Sequence, residues 1–416
     1  MKYVIIGSAI DGNRGAASML EAAIQTLGEI DPSAEFTLLS MYPEADSMSN
    51  RNKNLSILPA KPLYLGLVIN PLAVIYKLLP QLRPLIRKHK QVGAIVEADV
   101  FLDQGGTTFT DGREVFLIYN IASILPAFLV GTPVVKCSQA MGPFNGLINR
   151  TFAQFFLPYV KKIYSRGQET YKSLKKLKLD NVDLAADYAF SMEVHRLDAI
   201  AADKLIRRYG YDENKRNVGI FPSEVIRKKT EKKGQNYEEI IAKFIDEITI
   251  DQDLIVYLVA HSQRSSKQRH NNDLPVCESI YTLIKNRKQC AFIKELSSPQ
   301  ELRRIIGKMD INVTARFHAM VSSLSMETPV LVTAWSHKYQ EVLNMFELKN
   351  CAFDVRDIST SKLLKEFYIA LEEQENTKNS ITKNLQYVKD SSRKQVEGIV
   401  SLAQKTKGKD KKAPKG

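Results

Sequence analysis

Residues 310–329 read DINVTARFHAMVSSLSMETP, and the rest of the chain is read outward from their pattern. The β-branched run Ile311, Val313, Thr314 has the composition of a short buried strand. The apolar residues beyond Phe317 recur at helical spacing until Thr328-Pro329 stops them. The pattern predicts strand, turn and helix, with Arg316 and His318 in the turn. In open α/β sheets ligands settle outside the carboxyl ends of strands, where the next helix offers free N–H groups and positive potential. A permanently charged guanidinium fork and an imidazole two residues away suit a small anionic substrate that must be protonated. The plainer alternative has Arg316 held by a structural carboxylate and His318 partly buried as packing.

The same rhythm extends in both directions. At the start, residues 3–7 form an apolar strand, residues 8–18 a glycine-bearing turn, and Met19, Leu20, Ala23, Ile24 and Leu27 repeat at helical spacing. Such a turn aims backbone N–H groups at an anion, but its spacing is not G-x-G-x-x-G and gives no dinucleotide fingerprint. Further strands are expected at 36–39, 100–102, 134–139, 163–166 and 182–185, with an apolar run at 94–96 just before the second. Gly105-Gly106-Thr107-Thr108 reads either as a loop for close backbone approach to a ligand or as a tight turn capped by threonine. Polar composition at 195–217 marks a boundary. Strands then recur at 218–221, 254–260, 291–293, 311–314 and 330–333, with helices at 168–178, 237–248, 280–288, 302–307, 362–374 and roughly 382–405. Alternation of this kind predicts an α/β protein with parallel, doubly wound sheets. The expected domains are 1–195 with an apolar insertion at 61–90, 196–350, C-terminal helices over 351–404, and a basic disordered tail at 405–416.

The bulk numbers narrow the function. The 416 residues, 44% hydrophobic and 25% charged, suffice for two cores and exceed one ordinary domain. Of the net charge of +13, six lysines against Asp410 place +5 in the tail and leave +8 elsewhere. A lysine-rich end is ordinarily solvated, and its functional use would be attraction to acidic phospholipid or another polyanion. Nucleic acid is not an expected partner, because no stacking aromatics interleave with the basic residues and no helix-turn-helix, zinc-finger or RNP pattern occurs. Cys137, Cys277, Cys290 and Cys351 are scattered without C-x-x-C or metal-ligand spacing, as in reduced thiols of a cytoplasmic protein. The N-terminal apolar run is too short for a signal sequence. Residues 115–135 carry no charge, but Pro126 and Gly131-Thr132-Pro133 divide them into a buried helix and a strand. Residues 62–84 are apolar, broken by proline and followed by Arg87-Lys88-His89-Lys90. They read as a flap suited to peripheral contact with the inner face of a membrane.

Taken in order, several short segments resemble the polysaccharide pyruvyl transferase family. They are Asn13-Arg14-Gly15, Gly105-Gly106, QAMGPF at 139–144, RGQET at 166–170, ADYAF at 186–190, VAH at 259–261, SPQEL at 298–302, RFHA at 316–319, and Pro329 followed by Lys338. The resemblance runs from about residue 6 to 338. Two departures stand out: the usual N-x-G-D turn ends in Ala16, and the arginine-aspartate-glutamate pattern has Gly167 after Arg166. The resemblance implies a two-domain GT-B-like architecture and transfer of a pyruvyl group from phosphoenolpyruvate to a sugar. The sugar would belong to a cell-surface or exopolysaccharide precursor, often lipid-linked.

That donor carries a carboxylate and a phosphate, for which Arg316, Arg166 and Lys338 are the candidate cations. His318 is the candidate acid for the enol carbon, and His261 or Asp103 would take the proton of the attacking hydroxyl. Loop N–H groups around Asn13, Gly15, Gly105 and Gly106 are candidates for holding the acceptor. The reaction needs no metal or other cofactor, and the sequence has no metal-ligand cluster. Two rivals remain. One is a GT-B glycosyltransferase using a nucleotide sugar, with Glu295, Glu301 or Glu327 on the ribose. The other is a non-catalytic carbohydrate-binding relative, which the losses at Ala16 and Gly167 favour.

Overall fold

A computed structural model describes residues 1–264 and 271–410. The chain forms two compact units. The first takes Met1–Asp11, Met19–Met192 and the chain from Lys389 on; the second takes Gly12–Ser18 and Glu193–Val388.

The first unit is built on β1 (Lys2–Ile6), β2 (Glu35–Ser40), β3 (Leu55–Pro59), β4 (Val100–Asp103), β5 (Thr107–Thr110), β6 (Val134–Gly142), β7 (Lys162–Ser165) and β8 (Val182–Leu184). They lie in the order β3-β2-β1-β4-β6-β7-β8, with β5 paired to β6, and every pairing is parallel. Tyr3, Val4, Ile5 and Ile6 are all buried, the continuous apolar run of a strand covered by helices on both faces. The order reverses between β1 and β4. There Gly7 (φ +80°) passes so close to the next loop that a Cβ would sit 2.5 Å from Gly105 N, so only glycine fits.

The second unit carries β9 (Arg216–Phe221), β10 (Leu254–Val259), β11 (Cys290–Ile293), β12 (Ile311–Thr314), β13 (Val330–Ala334) and β14 (Ala352–Asp354). Their order, β11-β10-β9-β12-β13-β14, is that of a doubly wound nucleotide-binding sheet, with its reversal between β9 and β12. Alternate residues feed two cores. Val218, Val256 and Leu258 pack with Phe244 and Ile245 on one face, while Phe221, Tyr257 and Val259 pack with Ile305 and Ile306 on the other.

Several details differ from the sequence expectation. The apolar run at 94–96 is the end of the helix Lys90–Glu97, and the loop at 107–110 is the strand β5. β3 and β14, too short or too polar to stand out, were not expected. The helix expected at 280–288 is Leu274–Leu283, because Pro275 stands in its first turn, where its missing N–H costs nothing. From sequence a disordered tail begins at Lys405, yet the helix Gln374–Asp410 runs on through these lysines, and the rest of the tail lies outside the described residues. The four cysteines are unpaired.

Among the described residues no single helix is long and apolar enough to cross a membrane. One bent pair, Pro62–Leu78 with Pro80–Ile86 at 119°, reaches that length and composition together.

Candidate functional site

The reversal in the second sheet is where ligands of this fold class bind, and the residues at its strand ends are specific. From Ile311 to Ser325 every residue is buried except Arg316 and His318. β12 ends at Thr314, whose Oγ1 accepts the Arg316 N–H at 2.9 Å, and Tyr339 Oη bonds the Ala315 carbonyl at 3.0 Å. Arg316 is extended and the helix Phe317–Ser325 starts immediately after it. The turn is therefore pinned from both sides, and its two partly exposed side chains start from fixed backbone.

Asp273 organises the ends of three neighbouring strands. Fully buried, it accepts from Glu224 N beyond β9 (3.0 Å), from Ser262 N beyond β10 (2.9 Å) and from Arg316 Nη2 beyond β12. Burial pushes its carboxyl up, against the pull of Arg316 and these N–H donors. Asn271 Oδ1 takes Arg316 Nη1 at 2.7 Å. Arg316 Nε–H, by contrast, is buried with no partner among the described residues.

The turn Gly12–Ser18 belongs to this unit and reaches the same place. Asn13 Oδ1 accepts from Gly15 N at 3.2 Å and Ala16 N at 3.4 Å, capping the helix Arg14–Ile30. Asn13 bridges to Ser262, Gln263 N bonds the Gly12 carbonyl at 2.9 Å, and Arg14 Nη2 bonds the Leu296 carbonyl. Gly15 lies against the imidazole of His318, so that a Cβ there would overlap its Nδ1 and Cγ. His261 is fully buried. Burial, with the nearby positive fields of His318, Arg316 and Arg14, pushes its pKa well below the ordinary histidine value and keeps it neutral. Lys338 sits over Trp335, Tyr339 and Phe317, its ammonium 4.6, 5.4 and 5.1 Å from their ring centres, so this cation is tied to the residue following Arg316.

Six of the expected site residues (Asn13, Gly15, His261, Arg316, His318, Lys338) thus fall within one unit. The other four, Asp103, Gly105, Gly106 and Arg166, belong to the first. At the end of β4, Asp103 is ion-paired with the wholly buried Lys136 and accepts from Gly105 N at 2.9 Å. Gln139 closes the cluster, its Oε1 taking Lys136 Nζ (3.2 Å) and Thr108 Oγ1 (2.5 Å) and its Nε2 giving to the Asp103 carbonyl (2.8 Å). Both Asp103 oxygens are thus engaged inside this cluster. Arg166 pairs with buried Asp187 at 3.0 Å, and a Cβ on Gly106 would stand 3.8 Å from Arg166 Nη1.

Asp273 and Asn271 escape a sequence reading because they lie in a polar loop without spacing or motif. Lys136 escapes it because a lone lysine in a strand reads as an edge. Of the acids suited to a ribose, Glu295 pairs with Arg208 at 3.2 Å, and Glu301 accepts Ser297 N at 2.9 Å at a helix start whose cap is Ser298.

Comparison with known proteins agrees with this architecture. The family described as polysaccharide pyruvyl transferase matches residues 13–337. The amylovoran biosynthesis protein AmsJ of Erwinia amylovora is 20% identical over 92% of this chain and 95% of its own. The fold resembles UDP-GlcNAc 2-epimerase of Neisseria meningitidis, solved with UDP-GlcNAc (TM-score 0.62, 14% identity, 96% of this chain, 100% of that one). It also resembles a glycosyltransferase of Rickettsia africae (TM-score 0.58, 12% identity, 96% and 98%). Both likenesses show two Rossmann-like domains of the GT-B kind.

Proposed function

The chain belongs to the polysaccharide pyruvyl transferase family, and from that premise we propose that it moves the pyruvyl group of phosphoenolpyruvate onto a lipid-linked saccharide used in exopolysaccharide synthesis. The observation that carries the reading is Arg316: a guanidinium at a strand end, fixed by Asp273 and Asn271, with one buried N–H that has no partner among the described residues. A planar anion such as the donor's carboxylate is the natural acceptor for that N–H. Lys338 supplies the second positive charge for the phosphate.

In this scheme protonated His318 gives its proton to the methylene carbon of phosphoenolpyruvate, leaving an oxocarbenium-like centre at C2. A sugar hydroxyl bonds to C2 and returns its proton to the now neutral imidazole. The C–O bond to phosphate then breaks, a second hydroxyl closes the cyclic ketal, and its proton leaves with inorganic phosphate. His261, fully buried and with its pKa lowered by that burial, is assigned no proton transfer in this scheme and serves as a hydrogen-bonding wall. We assign Asp103 and Lys136 to the scaffold. Arg166 and the Gly105-Gly106 loop are proposed for the acceptor.

A second reading, transfer from a nucleotide sugar, is favoured by a recess of about 800 Å³ beside β13 and β14, where Trp335 lies among Lys229, Lys232, Lys233 and Arg356. The assay is phosphate release from phosphoenolpyruvate on addition of a lipid-linked saccharide. Pyruvyl transfer requires saccharide-dependent release that His318→Ala abolishes. Thermal stabilisation by a nucleotide sugar, but not by phosphoenolpyruvate, would select the second reading.

A further inference from the structure

The insertion at 62–86 is not used by the chemistry, and its surface is unlike that of an ordinary helix. In Pro62–Leu78 one stripe, Leu65, Ile69, Ala73 and Tyr76, is buried, and Asn70 ties the helix to Glu114–Val130 by donating to the Ala122 carbonyl at 3.0 Å. The opposite stripe should be polar. Instead it carries Leu63, Leu67 and Leu78, and beyond the bend Leu85, all 65–77% exposed. The apolar surface continues on neighbouring elements of the same unit. Val115 and Ile118, at the start of Glu114–Val130, are more than 80% exposed, and Phe155 in the helix Leu147–Phe156 is 62% exposed. Phe128 and Tyr159, with ring centres 6.2 Å apart, link these two regions.

Charge indicates what covers this face. From residue 61 to 96 the chain has Lys61, paired with Glu44 at 2.8 Å, then Lys77, Arg83, Arg87, Lys88 and Lys90 and no aspartate or glutamate; after Glu114, residues 115–168 also contain no acid. A second copy of so basic a surface would repel its partner, whereas acidic headgroups attract the lysines while leucines enter the acyl boundary. The sharp bend suits a helix pair lying in the interface plane better than one crossing it. We propose that this face docks on a bilayer rich in anionic phospholipid, with Leu63, Leu67, Leu78 and Leu85 inserted and Lys77, Lys88 and Lys90 on the headgroups. Docking would bring the enzyme to a lipid-borne acceptor, but the surface stands whether or not pyruvyl transfer is the reaction.

Flotation with vesicles of equal parts phosphatidylglycerol and phosphatidylcholine, against phosphatidylcholine alone, tests it without an activity assay. The intact chain should float with the acidic vesicles only. Leu67→Ser/Leu78→Ser/Leu85→Ser should weaken binding about tenfold or more, and Lys77→Glu/Lys88→Glu comparably, more so at low salt. All these side chains are exposed, and an unchanged melting temperature verifies folding. The proposal is overturned if the intact chain does not float. It also fails if the leucine variant floats equally well, which would move binding to the lysine-rich C-terminus, or if the intact chain is a dimer that the leucine variant dissociates.

Discussion

The two sheets reverse strand order in the same way and use the reversal differently. In the first unit Asp103, Lys136, Gln139 and Thr108 satisfy one another in a sealed cluster, and Arg166 is matched to Asp187. In the second, Arg316 is held on two sides and keeps an N–H uncommitted among the described residues, with His318 beside it. The same topology can thus end in a closed polar network that fixes backbone or in an open one that keeps binding capacity. Substitutions in the Asp103–Lys136 cluster should register as stability, and at Arg316 and His318 as catalysis.

The largest expected effect tests that division. His318→Ala should lower saccharide-dependent phosphate release about 10²–10⁴-fold with little change in melting temperature, and Arg316→Lys, which keeps the charge but loses the fork, about 10²-fold. A variant as active as the parent would end the distinction. Next is Lys136→Met, which strands buried Asp103 and should cost about 3–5 kcal/mol of stability in urea titrations. The added change Asp103→Leu should recover part of it. Trp335, the single tryptophan, lies in the second unit. Its fluorescence should show whether the loss stays in the first unit, where circular dichroism alone could not.

Gly15→Ala comes third. Its methyl displaces the His318 ring, so activity should fall about 10–100-fold while the fold persists. The smallest effect is on pH. Because burial depresses the pKa of His261, the unfolded chain binds a proton that the folded chain refuses. Stability of the second unit is therefore full above about pH 6.5 and falls as pH drops below it, by up to about 1.4 kcal/mol per pH unit from this group. His261→Asn should flatten that slope in Trp335-monitored unfolding.

The sheets were legible because parallel strands covered on both faces must be continuous apolar runs, as at 254–260 and 330–333. Short strands such as β3 and β14 carry too few residues to rise above their surroundings. Arg316 and His318 could be located because strand, turn and helix follow directly in the chain. The groups that fix them could not. Asp273 and Asn271 acquire meaning only when β9, β10 and β12 lie side by side, and Gly15 only when the turn after β1 meets a helix some three hundred residues later.

The excursion after β10 is closed at its base. Ser262 Oγ donates to the Asn271 carbonyl at 2.6 Å, and the Asp273 N–H returns to the Ser262 carbonyl at 2.7 Å. Asp273 is thereby latched to the end of β10, so the strand itself steadies the carboxylate that grips Arg316.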